Sequence, residues 1–583
     1  MEELHLYVLL ACLAFLILSL LFEWVTTPIS FLIVIAVICV SGIMKPSEVL
    51  GQIANEQIAV VLMLMVMGNI LKRSTLVETL FKRVFKDGIS EKQFLSRQYW
   101  LVGTLSAFFN NTPLVAILMP QISEWARRNY SSPTRLLLPL SYASIIGGGI
   151  TLIGTSTNLI VDKLYVDAGG EGFDLFDFAI FGLPIFLVGY AYTMLTRRIL
   201  RTRVRLSQNF QSRDYLVETK VKVNAPIHGQ TVEEAGLRKL SNLFIVEIIR
   251  KSEVIKPVGP DDVVLSGDKI IFAGDTSKVI AFLDKHPSFE LNNTSIEIKN
   301  KQEIIETVVP YNSSLIGNKI KDTDFRARFD AAIIGVRRNG ERLFGKIGDL
   351  EVKRGDMFLC ITGKEFENRI DKVNELYVIS KVQSIKNIGN KASVIVLLSM
   401  LIAMLLAGLK VLDLFTSMLL MLTIVAISGK VPFAELRKSF NYNFLLIGGG
   451  ALVFGKAMVI TGLAQLIASK SLFIFSDLGT IASLLGVFIV TNLLASIMTN
   501  IGAVAIVFPI AHAVSMQLGI DLFLMSMMVA FGGSKIFLTA IGYQTNLMVQ
   551  GAGGYKAIDY LKYGGGLLLT SLFVITVMLL YVL

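Results

Sequence analysis

Of 583 residues, 53% are hydrophobic and only 17% charged, and a mean hydropathy of +0.63 is too apolar for a soluble multidomain protein, so the chain falls in the membrane class. The formal charge of +10 does not call for a nucleic-acid partner, because membrane proteins gather Lys and Arg in cytoplasmic loops. Three cysteines, Cys12, Cys39 and Cys360, lack metal or redox spacing and point to neither a disulfide framework nor a cluster.

In chain order, apolar blocks predict spans near 5–24, 28–44 and 57–72, a broken segment at 93–128, and spans near 135–165 and 175–197. The first block follows Met-Glu-Glu without a basic n-region or cleavage site, which reads as a retained span. After a polar middle the same order returns: spans near 389–409, 411–429 and 444–466, a broken segment at 480–515, and spans near 520–550 and 560–583. The expected fold is an α-helical polytopic membrane protein with inverted five-span repeats, each carrying a re-entrant hairpin, plus an inserted α+β cytosolic region. Its expected units are a first membrane half at 1–205, regulatory modules at 206–295 and 296–384, and a second, inverted membrane half at 385–583.

Basic residues orient this arrangement. Lys72, Arg73, Lys82, Arg83, Lys86, Lys92 and Arg97 form one cluster, Arg197, Arg198, Arg201, Arg203 and Arg205 another, and both are expected in the cytoplasm. Five crossings then put both termini outside the cytoplasm and residues 206–384 inside, in a plasma or inner membrane. The second half runs the opposite way, consistent with Lys430, Arg437 and Lys438 in its 430–443 loop.

The polar middle alternates Val/Ile-rich strands with charged turns and repeats itself. A shift of 88 residues brings Gly229 onto Gly317, Arg250 onto Arg338 and Gly267-Asp268 onto Gly355-Asp356. This pattern resembles the C-terminal regulatory module of potassium-transport and channel proteins, which implies gating or sensing of an unidentified small ligand; an assembly insert is the other reading.

The broken segments carry the chemistry. FFNNTPLVAILMP (108–120) sets amides inside an apolar run, and a shift of 389 residues brings Asn111 onto Asn500, Ala116 onto Ala505 and Pro120 onto Pro509 in SIMTNIGAVAIVFP. Unwound backbone at bilayer depth is tolerated only where it is buried in protein or lines a cavity. A second pair follows, GGGITLIGTSTNL (147–159) and GGSKIFLTAIGYQTNL (532–547), aligned through Gly154 with Gly542 and Asn158 with Asn546. Glycines let each helix open, and an opened helix offers carbonyls to a cation and N–H groups to an anion. Thr, Ser, Asn and Gln side chains complete such a shell; Thr155, Ser156, Gly502 and Thr545 are expected on the substrate, Asn158 and Asn546 on sodium. Isolated polar residues in a membrane more often glue helices together, but four polar tips in register argue for a site.

SAFFNNTPLVAILMP, TLIGTSTNL and IGYQTNLMV closely resemble the divalent anion:sodium symporter family, in its sulfate-transporter-like branch with tandem inserted modules. The resemblance covers essentially the whole chain. It implies a homodimer in which a scaffold holds a moving transport domain and carries a small oxyanion such as sulfate, with sodium ions, by an elevator motion. It carries sodium and substrate contacts onto Asn110, Asn111, Thr112 and Gly154, and onto Thr499, Asn500 and Gly542. Where that family commonly has Ser-Asn-Thr, this chain has Asn110-Asn111-Thr112 and Thr499-Asn500-Ile501. Ile501 removes a hydroxyl that could hold a second carboxylate, favouring sulfate over a dicarboxylate unless backbone N–H groups near Gly502 compensate. Ala540 stands where a proline is expected, so the second opening is expected to be less rigid.

Other singletons read blandly. His512 is expected to pack, Asp162 and Lys163 to pair or snorkel at a span end, as Lys456 does, and VLMLMVMG to be packing. Lys535 is the exception: its ammonium either reaches a carbonyl or the interface, or stands in for a sodium near Thr499-Asn500 or faces the anion. No nucleophile–base or metal set suggests an enzyme. A dicarboxylate symporter and a cation channel or antiporter are the competing readings, and an antiporter normally needs an intramembrane carboxylate that the motif pairs lack.

Overall fold

A computed structural model describes residues 2–583 apart from 23, 73–74, 87, 201–215, 238–242, 251–252, 256–257, 275–285, 292–303, 311–312, 339–340, 344–346, 364, 371–374, 379–389, 432 and 476–478. The expected boundaries at 205/206, 295/296 and 384/385, and Arg73, Arg201, Arg203 and Arg205, lie outside the described residues.

Before the polar middle, helices run α1 (Glu2–Phe22), α2 (Thr27–Val40), α3 (Pro46–Ile53), α4 (Glu56–Lys72), α5 (Thr75–Val84), α6 (Glu91–Ser106), α7 (Asn111–Arg128), α8 (Pro133–Gly147), α9 (Ser156–Asp167) and α10 (Ala179–Thr196). After it come α11 (Asn390–Gly408), α12 (Leu414–Ile427), α13 (Phe433–Lys438), α14 (Tyr442–Ile460), α15 (Leu463–Phe475), α16 (Gly479–Ile497), α17 (Asn500–Leu518), α18 (Leu522–Ser534), α19 (Gln544–Gly553) and α20 (Gly565–Val582). Apart from a short helix (Ala557–Asp559) and a π-helical turn (Tyr560–Gly564) that lead into α20, the two series follow the same order, and α7 and α17 both begin on the asparagine that the 389-residue shift aligns. Both also enclose the aligned prolines, Pro120 and Pro509, which membrane helices accommodate where neighbours re-satisfy the freed carbonyl.

Local chemistry sets the boundaries. Proline in the first turn starts α2, α3 and α8, where its missing N–H costs nothing. Ser90 caps α6 and Asp413 caps α12 through side-chain oxygens. The predicted span 444–466 is instead divided into α14 and α15 at Gly462, whose φ of +73° suits a glycine.

Among the described residues, seven helical stretches are long and apolar enough to cross a membrane, from Glu3–Phe22 to Ala557–Val582. The chain is a mostly helical, multi-pass membrane protein with a small sheet region. The predicted spans 135–165 and 520–550 are not single helices: α8 and α9 are separated at 148–155, and α18 and α19 at 535–543. No single one of those pieces reaches about 30 Å at 1.5 Å per residue. By contrast α16 and α17 have 19 residues each, each close to a crossing by length alone. Leu, Val, Met and Phe side chains from both series form one continuous buried cluster, while leucines such as Leu398, Leu405 and Leu569 stay exposed on helix faces.

The polar middle forms two five-stranded antiparallel sheets. The first holds β1 (Leu216–Val221), β2 (Leu243–Arg250), β3 (Glu253–Ile255), β4 (Lys269–Gly274) and β5 (Phe289–Leu291) in the order β3-β2-β4-β1-β5. The second holds β6 (Ile304–Val308), β7 (Ala331–Arg338), β8 (Glu341–Arg342), β9 (Met357–Thr362) and β10 (Tyr377–Val378) in the order β10-β6-β9-β7-β8. Read from the other edge, the second order is the first with every strand replaced by its 88-residue equivalent. The repeat's charged pair is one interaction made twice: Arg250 grips Asp268 at 3.0 and 2.8 Å, and Arg338 grips Asp356 at 2.7 Å through both nitrogens. The same arginines cap Val263 and Glu351 carbonyls. Each fork ties a strand end to the turn before the closing strand, and the aspartates are 2% and 1% exposed.

Candidate transport site at the helix openings

The two tips and the two openings meet crosswise. At the first tip, Asn110 caps α7 by accepting from Thr112 N at 3.2 Å, and Asn111 opens the helix. Asn111 Nδ2 donates to the Tyr543 hydroxyl at 2.6 Å, and its Oδ1 takes the Ser106 hydroxyl, which also lies 2.8 Å from the Ser144 carbonyl. One residue on, Thr112 Oγ1 donates to Gln544 Oε1 at 3.1 Å. Thus the tip of the first series is bonded to the opening of the second. The converse holds at the other tip, where Asn500 Nδ2 donates to Thr157 Oγ1 of α9 at 2.8 Å.

Glycine makes these approaches feasible. A Cβ on Gly148 would come within 2.8 Å of Asn111 Oδ1, and one on Gly154 within 2.8 Å of the Gly148 Cα. Gly542 backs onto α16, where a Cβ would fall 2.9 Å from Ser496 Cα. Real Cβ atoms do not pack this closely, so each opening folds back only because the side chain is absent.

The predicted residues divide. Asn111, Thr112, Gly154, Asn500 and, through the Tyr543 hydroxyl it faces, Thr155 gather where tip meets opening. Thr545 and Asn546 instead turn to α8, where the Ser141 hydroxyl is 2.8 Å from Thr545 Oγ1 and 2.7 Å from Asn546 Oδ1. Asn546 Nδ2 also holds the opened backbone at Ile536 and Thr539 carbonyls, 2.8 and 3.0 Å. Ser156 begins α9, half-buried. Thr499 caps α17 by accepting from Gly502 N at 3.2 Å, and Ile501 N is taken by Asn500 Oδ1 at 3.0 Å. The backbone donors proposed to make up for the missing hydroxyl at Ile501 are therefore committed to the cap.

Three of the buried oxygens without a hydrogen-bond partner lie on the helices that frame the openings. Asn158 Nδ2 holds the Thr151 carbonyl at 3.0 Å, leaving its Oδ1 buried and unpartnered. On α16, Asn492 Oδ1 and Ser496 Oγ, one turn apart, are buried and unpartnered too, while Asn492 Nδ2 holds the Gly532 and Lys535 carbonyls at 3.0 and 2.9 Å. Neutral oxygens desolvated in this way each cost about 1–3 kcal/mol unless something binds them.

Lys535 is fully buried, and its amine lies 3.0 Å from the Ile145 carbonyl and 3.3 Å from that of Ile146, over the Phe531 ring at 5.3 Å. Its partners are backbone carbonyls at the end of α8, as in the first of the two readings of this residue, and not Thr499 or Asn500. The last carbonyls of a helix lack intrahelical donors and carry its negative end, so this is where an ammonium is least costly. Gly149 leaves the room that the amine fills.

Beyond the site, Lys163 pairs with Asp167, and Asp162 accepts from Phe173 N at 2.8 Å and Gln57 Nε2 at 3.3 Å. Tyr543, Gln544, Thr157, Ser106 and Ser141 were not among the expected residues. The first two lie 388 positions from Thr155 and Ser156, so the shift that aligned Gly154 with Gly542 points to them.

The citrate transporter family matches residues 17–472. A candidate sulfur deprivation response regulator of Chlamydomonas reinhardtii is 31% identical over 542 residues, covering 90% of this chain and 92% of its own. An uncharacterised transporter of Synechocystis is 29% identical, covering 98% of this chain and 96% of its own. A sodium/sulfate cotransporter of Chlamydomonas reinhardtii is 27% identical over 328 residues, 52% of this chain and 36% of that one.

Proposed function

We propose, on the premise that this chain belongs to the citrate transporter family of divalent anion:sodium symporters, that it is a sodium-coupled secondary transporter of a small divalent oxyanion, in the first place sulfate. The observation that carries the reading is the crossing of tips and openings, Asn111 on Tyr543 and Asn500 on Thr157. Four segments from distant parts of the chain converge on neutral amides and hydroxyls. None of the four motif segments contains Asp or Glu, and Lys535 adds one positive charge, a balance that suits an anion; the buried carboxylate nearest in sequence, Asp162, is engaged by Phe173 N and Gln57.

In this reading Asn111, Thr112, Thr155, Ser156 and Asn500 surround the substrate, while Gly502, whose N–H caps α17, and Thr545, bonded to Ser141, hold the frame around it. Asn110, Asn111, Gly154, Asn158, Thr499, Asn500, Gly542 and Asn546 serve sodium, with the orphaned oxygens of Asn158, Asn492 and Ser496 as the sharpest support. Lys535 acts as a tethered cation. Re-entrant hairpins belong to this reading, supported by the contacts of both tips with helix pairs that are themselves interrupted. With the five crossings per half expected from the sequence, the halves form an inverted repeat, with residues 206–384 as two cytoplasmic regulatory modules and both termini outside, in the cell membrane. The elevator motion and homodimer implied by the family resemblance complete the reading.

A carboxylate cargo is the second reading, favoured by the citrate transporter match. Against it, the N–H groups of Ile501 and Gly502 are spent on the helix cap, so a second carboxylate has fewer donors. Uptake of radiolabelled sulfate into proteoliposomes, with and without an inward sodium gradient and with unlabelled citrate or succinate as competitors, tests both. Gradient-driven sulfate uptake resistant to the carboxylates supports sulfate; absence of sulfate uptake under either condition refutes it.

A further inference from the structure

The second module reaches the transport site. Strand β10 begins with Tyr377, whose hydroxyl accepts from Gln544 Nε2 at 2.9 Å, and Gln544 Oε1 accepts from Thr112 Oγ1. A three-residue chain therefore runs from the polar middle, through the first residue of α19, to the tip of the first series. Packing along α19 supports it. A Cβ on Gly355 would meet Leu547 at 2.8 Å, and one on Gly551 would meet the Gly355 carbonyl and Met357 at 3.4 Å and Val308 at 3.7 Å. Val308 and Met357, from β6 and β9, belong to the same buried apolar cluster as the membrane helices. The module is seated on the helix that frames the second opening.

We propose that Tyr377 is a positioning residue for transport, and that the seated module holds Gln544 in an orientation that weakens anion binding. An oxyanion is bound by N–H and O–H donors. With Tyr377 in place, the Gln544 amide nitrogen is engaged by the module, its oxygen faces the tip, and the Thr112 proton is spent on that oxygen. One of the two N–H donors of the Gln544 amide and the Thr112 hydroxyl proton are thereby committed within the protein, and the amide is held with its oxygen toward the tip. When the module lifts from α19, the amide is free to turn its nitrogen toward Thr112 and the anion. Any signal that unseats the module then raises substrate affinity.

This inference rests on the reading that Thr112 lies at the substrate site. Full-length protein in proteoliposomes, assayed with radiolabelled sulfate, tests it. Tyr377→Phe removes only the hydroxyl and is expected to lower the KM for sulfate about threefold to tenfold, the worth of one hydrogen bond, without lowering the maximal rate. Tyr377→Leu should do the same. In a Gln544→Leu background neither substitution should change KM further, because the path through the amide is gone. A merely structural contact would lower the maximal rate through lost protein and leave KM alone. An unchanged or raised KM in both Tyr377 variants overturns the proposal. Thr112→Ala separates the two readings: if it leaves KM unchanged, the site assignment itself fails, whereas a raised KM in Thr112→Ala with unaltered Tyr377 variants rejects only the control by the module.

Discussion

The Asn111 amide donates to the Tyr543 hydroxyl at 2.6 Å, joining residues on opposite sides of the polar middle. Both are buried, so neither can be satisfied by water when its partner is lost. Removing one partner of a buried hydrogen bond costs about 1–3 kcal/mol, roughly fivefold or more in an equilibrium. Asn111→Ala is expected to abolish sulfate uptake, and Tyr543→Phe to weaken it about fivefold or more. Gel-filtration profiles should match the parent for both. Normal uptake by a well-folded Asn111→Ala, Asn500→Ala double variant would remove the tips from the site.

Gly154 and Gly542 give a steric prediction. A methyl group at either position overlaps backbone of Gly148 or of Ala495 and Ser496, and neither neighbour is a flexible side chain that could swing away. Overpacking of this kind costs about 1–3 kcal/mol. Gly154→Ala and Gly542→Ala are each expected to lower the melting temperature by a few degrees and to eliminate uptake, whereas Gly51→Ala, where nothing lies within 4 Å, should change neither. Thermal melts in detergent beside uptake assays would decide, and full activity in Gly154→Ala would contradict the close-packed opening.

Much of this was legible because the sequence repeats. Asparagine in an apolar run is ambiguous once, but Asn111 and Asn500 at a fixed shift mark matching helix starts, and the structure begins α7 and α17 on those residues. The 88-residue shift likewise aligns Arg250 and Asp268 with Arg338 and Asp356, which the fold joins as two equivalent ion pairs. What stayed hidden were contacts between elements far apart in sequence. Thr157 and Ser141 read as ordinary helix residues until α17 and α19 pack on them. Tyr377 carries no local signal at all, since its role depends on how the second sheet sits on α19. Lys535 was singled out as costly, but only the fold could reveal that the end of α8 receives it.

The repeated ion pair predicts separate stabilities for the modules. Asp356 is buried, receives both Arg338 nitrogens and accepts from Lys353 N at 2.9 Å, and the carboxylate beside Arg338 holds its guanidinium pKa above the usual value. Arg338 is partly exposed, so losing its buried carboxylate partner costs about 1–3 kcal/mol. Cys360 on β9 provides the readout, because burial pushes its thiol up to about 12, leaving little reactive thiolate at neutral pH. In a background with Cys12 and Cys39 replaced by serine, Asp356→Ala should speed maleimide labelling of Cys360 at least tenfold, while Asp268→Ala, which breaks the first module's pair, should not. Equal labelling in all three proteins would mean that the ion pair does not hold the second sheet closed.

Lys535 supplies the most discriminating prediction about coupling. Its ammonium rests on the Ile145 and Ile146 carbonyls, at the negative end of α8 and beside the first opening, a place suited to a free cation. A lone charge at bilayer depth costs about 2.5–3.5 kcal/mol on insertion scales, a cost that a purely structural methionine or leucine would avoid. If the amine stands in for a coupling ion, the parent protein binds fewer sodium ions than its repeat architecture provides for, and sulfate uptake rises with sodium at a low Hill slope. Lys535→Ala then either opens that place to sodium, steepening the dependence, or abolishes uptake by removing the charge. Gly149→Ala should act in the same direction, since a methyl group there displaces the amine. Initial rates of sulfate uptake across a sodium series, for the parent and both variants, measure this directly; superimposable curves would leave Lys535 as a cap on α8 and nothing more.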